Sequence, residues 1–168
     1  MSKFFIAALI IVWPCFTISA EPASLDAFLV KGIVRLVKLP ESAAKEFVGN
    51  IMKYSAAYRL DPYLVTAIIT VESHFRHFRS EHDFGPMQVN RFWFNKLDVD
   101  EDDLLQIEGG IKTGTQILAI NQREKPNDTC WWSSYNSQNP VNRKVYERKV
   151  LHVLKQLNQD YSCEDENE

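Results

Sequence analysis

The sequence predicts a mainly helical α+β domain with one small β element. Apolar residues recur at helical spacing through several long stretches, most of them opened by a cap or closed by a breaker. Between two of these, segment 76–99 is polar and aromatic, punctuated by Gly85 and Pro86, and suits a loop or small hairpin better than a helix. At 168 residues the chain is long enough for one domain with a real core, and it holds no repeats or low-complexity stretches.

The elements follow in order. Lys3, the apolar run 4–12 and Thr17-Ile18-Ser19-Ala20 read as a secretory leader ending at Ala20. The alternative is an uncleaved membrane anchor, which the shortness of the run and Pro14 disfavour. Cys15 lacks the small preceding residue of a lipoprotein site and is expected to leave with the leader. Residues 21–40 form an N-terminal arm, in which 25–39 makes a short helix or stays loose. A helix follows over 41–60, where Phe47, Ile51, Tyr54 and Tyr58 keep a helical period. Asp61 and Pro62 supply an N-cap and a first-turn proline for the next helix, which runs to about Phe75. Acidic 98–103 opens a further helix with its body over 104–123, and Gly109, Gly110 and Gly114 suggest close helix approach. Pro126-Asn127-Asp128 breaks the chain. Asn139-Pro140 starts the last helix, on which Tyr146, Val150, Val153, Leu154 and Leu157 share a face. The expected organisation is a leader over 1–20, the arm over 21–40, one domain over 41–163 and a solvated acidic tail over 164–168.

After residue 20, 18 Lys and Arg face 22 Asp and Glu, and four of those acids lie in the final tail. A balanced body gives no basic field for nucleic acid. Cys130 and Cys163 remain in the exported chain, an even number suited to an oxidising compartment. A disulfide between them would tie the end of the last helix to Trp131-Trp132, worth about 3–4 kcal/mol on the chain-entropy model; the alternative is two unrelated thiols. His74, His77 and His82 form the only metal-like cluster, but no Cys or acidic partner completes a set, so no metal and no cofactor are expected.

The chemistry-bearing residue is Glu72. On its helix, Val65, Ile68 and Ile69 lie seven, four and three positions before it, so an apolar stripe surrounds the carboxyl. Desolvation disfavours the charged form and raises the pKa, as a general acid near neutral pH requires. A structural acid paired with an arginine is the plainer alternative.

Four segments in order resemble lytic transglycosylases of the soluble, lysozyme-like superfamily. They are Glu72-Ser73 at a helix end, Gly85 to Val89 as a Gly-x-Met-Gln-hydrophobic loop, Ser134-Tyr135-Asn136, and Tyr146 on the final helix. The resemblance spans about 46–157. It implies a lysozyme-like fold with its hairpin at the cleft, and cleavage of peptidoglycan between N-acetylmuramic acid and N-acetylglucosamine. Glu72 would be the acid, then the base on the 6-hydroxyl, giving a 1,6-anhydro end. Ser73, Met87, Gln88, Tyr135, Asn136 and Tyr146 would serve the substrate, with Met87 and Gln88 lining the cleft and Tyr146 bonding near Glu72; a helix-end role is the equal alternative for Ser73. Of Trp131, Trp132 and Tyr135, at least one would line the cleft. Short length resembles the small members that accompany secretion systems, pili and conjugation machines; together with the leader, the expectation is an exported, periplasmic monomer acting on the bacterial wall. Pro86, Gln138 and Gly110 depart from the family pattern, standing where Leu or another residue, Gly and Asn are commoner.

Asp83 supports a rival reading. The hairpin from Asp83 to Trp93 also resembles that of animal-type lysozymes, in which an Asp before the aromatic-Gly pair is the second carboxylate. A hydrolase using Glu72 and Asp83 is therefore the second expectation, with Asp83 as a plain turn residue its bland counterpart. A non-catalytic wall-binding assembly subunit is the third.

Overall fold

The computed structural model describes residues 24–159. Its helices are α1 (Leu25–Val37), α2 (Glu41–Tyr58), α3 (Pro62–Ser73), α4 (Phe94–Leu97), α5 (Glu101–Leu105), α6 (Ile107–Glu124) and α7 (Pro140–Gln156). Two short antiparallel strands, β1 (Asp83–Phe84) and β2 (Val89–Asn90), pair Asp83 with Asn90 and Phe84 with Val89. Turns of 3-10 helix cover Arg91–Trp93 and Trp131–Tyr135. This is the mainly helical α+β lysozyme-like arrangement expected. Among the described residues no helix is long and apolar enough to cross a membrane.

The central element is α3. Asp61 caps it by accepting from the Tyr63 amide at 2.7 Å, and Pro62 occupies its first turn. Every residue from Leu64 to Thr70 is buried, because α2 and α1 cover one side and α7 the other. A helix this apolar needs neighbours all round. It stops at His74 and Phe75, both left-handed with φ of 54° and 62°, and the His74 amide closes on the Thr70 carbonyl. The chain therefore turns sharply just after Glu72, with Phe75 still buried against Phe47.

The arm takes the helical of its two expected forms, a 13-residue helix with Leu29 and Ile33 fully buried. One expectation changes. The helix expected over 98–123 is two helices, broken where Gln106 is extended at φ −80°, ψ 150°. The turn lets Leu104 and Ile111, both fully buried, reach the core from different directions. Asp100 caps the first piece through the amides of Asp102 and Asp103.

Segment 76–93 folds as the hairpin and lies across α5 and α6. Glu101 holds it from outside, pairing with Arg79 at 2.6 Å and Arg91 at 3.3 Å, while both guanidinium groups cover the Phe84 ring. Gly110 and Gly114 receive the hairpin loop rather than another long helix. A Cβ at 110 would stand 2.6 Å from the Pro86 ring, and one at 114 would stand 2.3 Å from the Met87 sulfur. Gly85 bends the loop at φ +73°.

Candidate active site

Glu72 sits at the last turn of α3, where the helix emerges between the hairpin and α7. A polar cavity of about 290 Å³ opens there, with Glu72, Asp83, Gln88, Tyr135 and Asn136 on its wall. A larger groove of about 1000 Å³ separates α1 from α2 but contains none of these residues. We assign the site by its convergent titratable groups rather than by size.

The electrostatics follow from placement. Burial raises the Glu72 pKa to about 7; the Tyr146 hydrogen bond opposes this, the Asp83 charge adds to it and Lys149 lowers it. The Tyr146 hydroxyl donates to Glu72 Oε1 at 2.6 Å. Burial, then the charge of Glu72, holds Tyr146 well above the ordinary phenol range, so it stays a donor. Trp132, itself buried, backs Tyr146 with ring centroids 6.3 Å apart. A carboxyl half-protonated near pH 7 and oriented by a phenol is equipped to give a proton and take one back.

Tyr146→Phe removes a bond that lowers the Glu72 pKa. If activity requires protonated Glu72, the alkaline limb of the pH–rate profile lies near 7 and moves upward in this variant. A limb that stays put or moves to lower pH would contradict the assigned bond.

The hairpin positions the other groups. Asp83 opposes Asn90 across the strands, and Asn90 Nδ2 donates to Asp83 Oδ1 at 2.7 Å. Asp83 is thus a cleft carboxylate fixed by its strand partner, and the Ser80 hydroxyl accepts from its amide at 2.9 Å and donates to its Oδ2 at 3.5 Å. Gln88 adopts φ 48°, and its amide nitrogen donates to the carbonyls of Phe78 and Gly85. That engages the nitrogen in holding the loop and leaves Oε1 as the polar atom available to the cavity. Tyr135 lines the cavity and donates to the Met87 carbonyl at 2.8 Å, while Asn136 stands exposed beside it.

Three residues expected to serve the substrate are not on the cavity wall. Met87 is fully buried, its side chain seated on Gly114, so only its backbone carbonyl serves the site. Ser73 is buried too and donates to the Pro86 carbonyl at 2.7 Å, fastening the loop to the end of α3. Ser73 thus takes the helix-end role that was its alternative, while in the tight loop Met87 turns inward and Gln88 takes the cleft side. Tyr146 reaches Glu72 from behind and is not on the cavity wall.

Pro86 is buried, with its carbonyl engaged by Ser73 and its ring on Gly110. The missing backbone donor therefore faces the interior. Gln138 is exposed and accepts from Lys125. The three histidines are apart: His74 faces α7, His77 bonds the Leu105 carbonyl and His82 lies beside Glu81. Among the described residues no three His, Cys, Asp or Glu side chains are grouped to hold a metal ion. Cys130 is buried next to the Trp131–Tyr135 turn, and Cys163 lies outside the described residues.

The cavity also contains Asn90, Trp93 and Ile117, which sequence reasoning did not select. Asn90 was recoverable as the cross-strand partner of Asp83, and Trp93 as an aromatic just beyond the hairpin. Ile117 carries no signal that separates it from core residues of α6.

A family model described as Transglycosylase SLT domain matches residues 49–151, more than half of the chain. The match covers α3, the hairpin, α6, the Trp131–Tyr135 turn and most of α7, and leaves α1 outside. No curated protein and no solved structure matches the chain.

Proposed function

Because the chain belongs to the transglycosylase SLT domain family, whose activity is lytic cleavage of peptidoglycan, we propose that Glu72 alone performs the acid and base steps of that reaction. Protonated Glu72 gives its proton to the oxygen joining N-acetylmuramic acid to N-acetylglucosamine, and the C1–O bond breaks. The resulting carboxylate takes the proton of the muramic 6-hydroxyl as O6 bonds to C1. Water is not consumed, and the product ends in 1,6-anhydromuramic acid. The observation that supports this reading is Glu72 itself: a carboxyl with pKa about 7, held by Tyr146 at the wall of a polar cavity. Tyr135, Asn136 and Gln88 are assigned to sugar contacts in that cavity.

One observation favours a second reading. Asp83 shares the cavity and its charge reaches Glu72, as the second carboxylate of a retaining hydrolase would. Purified peptidoglycan digested with wild type and Asp83→Asn separates the two. A transglycosylase leaves anhydro ends, one water lighter than reducing ends, and the variant keeps most of its rate. Reducing ends from wild type, together with a fall of roughly a hundredfold in the variant, would install the hydrolase instead.

The same reading places the enzyme outside the cytoplasm, cut after Ala20 and bridged between Cys130 and Cys163. The intact mass of the exported chain tests both points, through loss of residues 1–20 and of two hydrogens. A full-length mass, or a mass with both thiols retained, rejects the respective point. Its proposed setting is local wall opening for a secretion, pilus or conjugation apparatus. Normal assembly of every such apparatus in a deletion strain would remove that setting.

A further inference from the structure

The groove of about 1000 Å³ between α1 and α2 shares no residue with the Glu72 cavity. Each helix gives it one face. Val30, Lys31, Val34 and Lys38 line it from α1 and its cap, and Lys45, Val48, Gly49 and Met52 line it from α2, both sets at helical spacing. The valines and Met52 make an apolar floor. Its plain account is the seam left where two helices pack. That account covers Val30 and Val48, which are buried, but not Gly49.

Gly49 stands in the middle of α2, exposed on the groove side. Glycine is the poorest helix former apart from proline. Gly32, Gly110 and Gly114 each have a packing reason, since an added Cβ would meet Leu157, Pro86 or Met87 at 2.8 Å or less. At Gly49 it would meet nothing within 4 Å. No described neighbour in this chain requires the glycine. A bare stretch of helix backbone beside an open groove suits something that approaches it closely from outside.

Charge narrows what that is. The chain carries −3 overall, yet Lys31, Arg35, Lys38 and Lys45 line the groove against Asp26 and Glu41. Glu41 pairs with Lys45 at 2.7 Å, and Asp26 sits in the first turn of α1, where the helix dipole favours an acid. The dipole equally suits Arg35, which also donates to the Gln156 carbonyl, and Lys38 at the cap. Lys31 is mid-helix and has no such reason. Among the described residues Lys31 and Lys38 form no salt bridge. They stand about 10 Å apart along one bank, two helical turns.

We propose that this groove docks an amphipathic helix of a partner protein, with an apolar inner stripe and acids along one flank. Lys31 and Lys38 pair with those acids, and Gly49 lets the two backbones approach. Cations two turns apart match acids seven positions apart on a helix lying alongside, whereas a single anionic head group would gather its cations at one point. Because the groove and the Glu72 cavity have no residue in common, attachment and lysis are separable.

The test uses the purified protein and three stapled helical peptides of about five turns. They share one stripe of leucine and alanine and differ only in a flank of Glu, Gln or Lys; fluorescence anisotropy reads binding. The Glu peptide should bind saturably and about fivefold tighter than the Gln peptide, an advantage that fades with salt, and the Lys peptide should bind least. In Lys31→Glu/Lys38→Glu the order of the Glu and Lys peptides should reverse. Gly49→Leu should block all three by filling the groove. Gly49→Ala, a methyl group in open space, should raise the melting temperature by about 2–4 °C. Each variant should keep a cooperative melting transition and the wild-type rate of wall lysis. No saturable binding of the Glu peptide, equal binding of the Glu and Lys peptides, or a Gly49→Leu protein that binds like wild type overturns the proposal. A Gly49→Ala protein less stable than wild type would reveal an internal need for the glycine and overturn it too. So would self-association, or binding to phosphatidylglycerol vesicles, that Gly49→Leu abolishes and the Glu peptide does not compete away.

Discussion

Glu72→Gln lowers peptidoglycan lysis by roughly a thousandfold, the usual scale for loss of a positioned general acid–base group. The amide keeps the shape and still accepts from the Tyr146 hydroxyl, but it has no proton to give and cannot take one back. Folding should survive, and stability adds an independent check. The Glu72 pKa is raised to about 7 from an ordinary 4.5, so the unfolded chain releases this proton at lower pH than the folded one. Stability associated with the neutral carboxyl is fully present below about 4.5 and is lost as pH rises toward 7. The Gln variant escapes that loss. Its melting temperature relative to wild type should climb between pH 4.5 and 7 and then level off, by an amount corresponding to roughly 1–3 kcal/mol. Lysis within tenfold of wild type would refute the catalytic assignment. A flat difference in melting temperature would show instead that the carboxyl is not desolvated.

The largest stability effect is expected at Gly85. The residue adopts φ +73°, and an added Cβ would stand 1.9 Å from the Leu104 carbonyl oxygen. That neighbour is backbone at the end of α5 and has nowhere to go, because Leu104 is fully buried. Gly85→Ala combines a left-handed penalty with a backbone overlap, about 2–5 kcal/mol together. The urea midpoint should fall accordingly, with an unchanged slope. Activity should fall with it, since the Gly85 carbonyl also fixes the Gln88 amide. A destabilisation below about 1 kcal/mol would mean that the hairpin is not seated on α5 as described.

What could be read from the sequence divides along physical lines. The capped, apolar α3 was legible because Asp61, Pro62 and the buried run all specify the same helix. The isolation of Glu72 was legible for the same reason. Its bond to Tyr146 spans 74 positions and came only through resemblance to a family, since periodicity says nothing about which helices meet. Met87 was placed on the wrong side of its loop because a motif records which residues recur and not which way each one turns. Gln88, with its positive φ, determines that in the loop. The break at Gln106 carries neither Gly nor Pro and left no local mark. The role of α1 was open because a short amphipathic arm is stable only by virtue of what covers it, which here is α2 and α3.

The contact of Pro86 with Gly110 makes these two positions mutationally interdependent. An Asn at 110, as the family pattern commonly has, would drive its Cβ to 2.6 Å from the proline ring. A smaller residue at 86 would relieve that overlap but not a second one, since the same Cβ would stand 2.7 Å from the Leu104 carbonyl oxygen. A double-mutant cycle across 86 and 110 should report a non-additive term for the ring contact, while the Leu104 overlap remains in both arms. Any transplant of this hairpin into a related wall enzyme has to carry residue 110 with it.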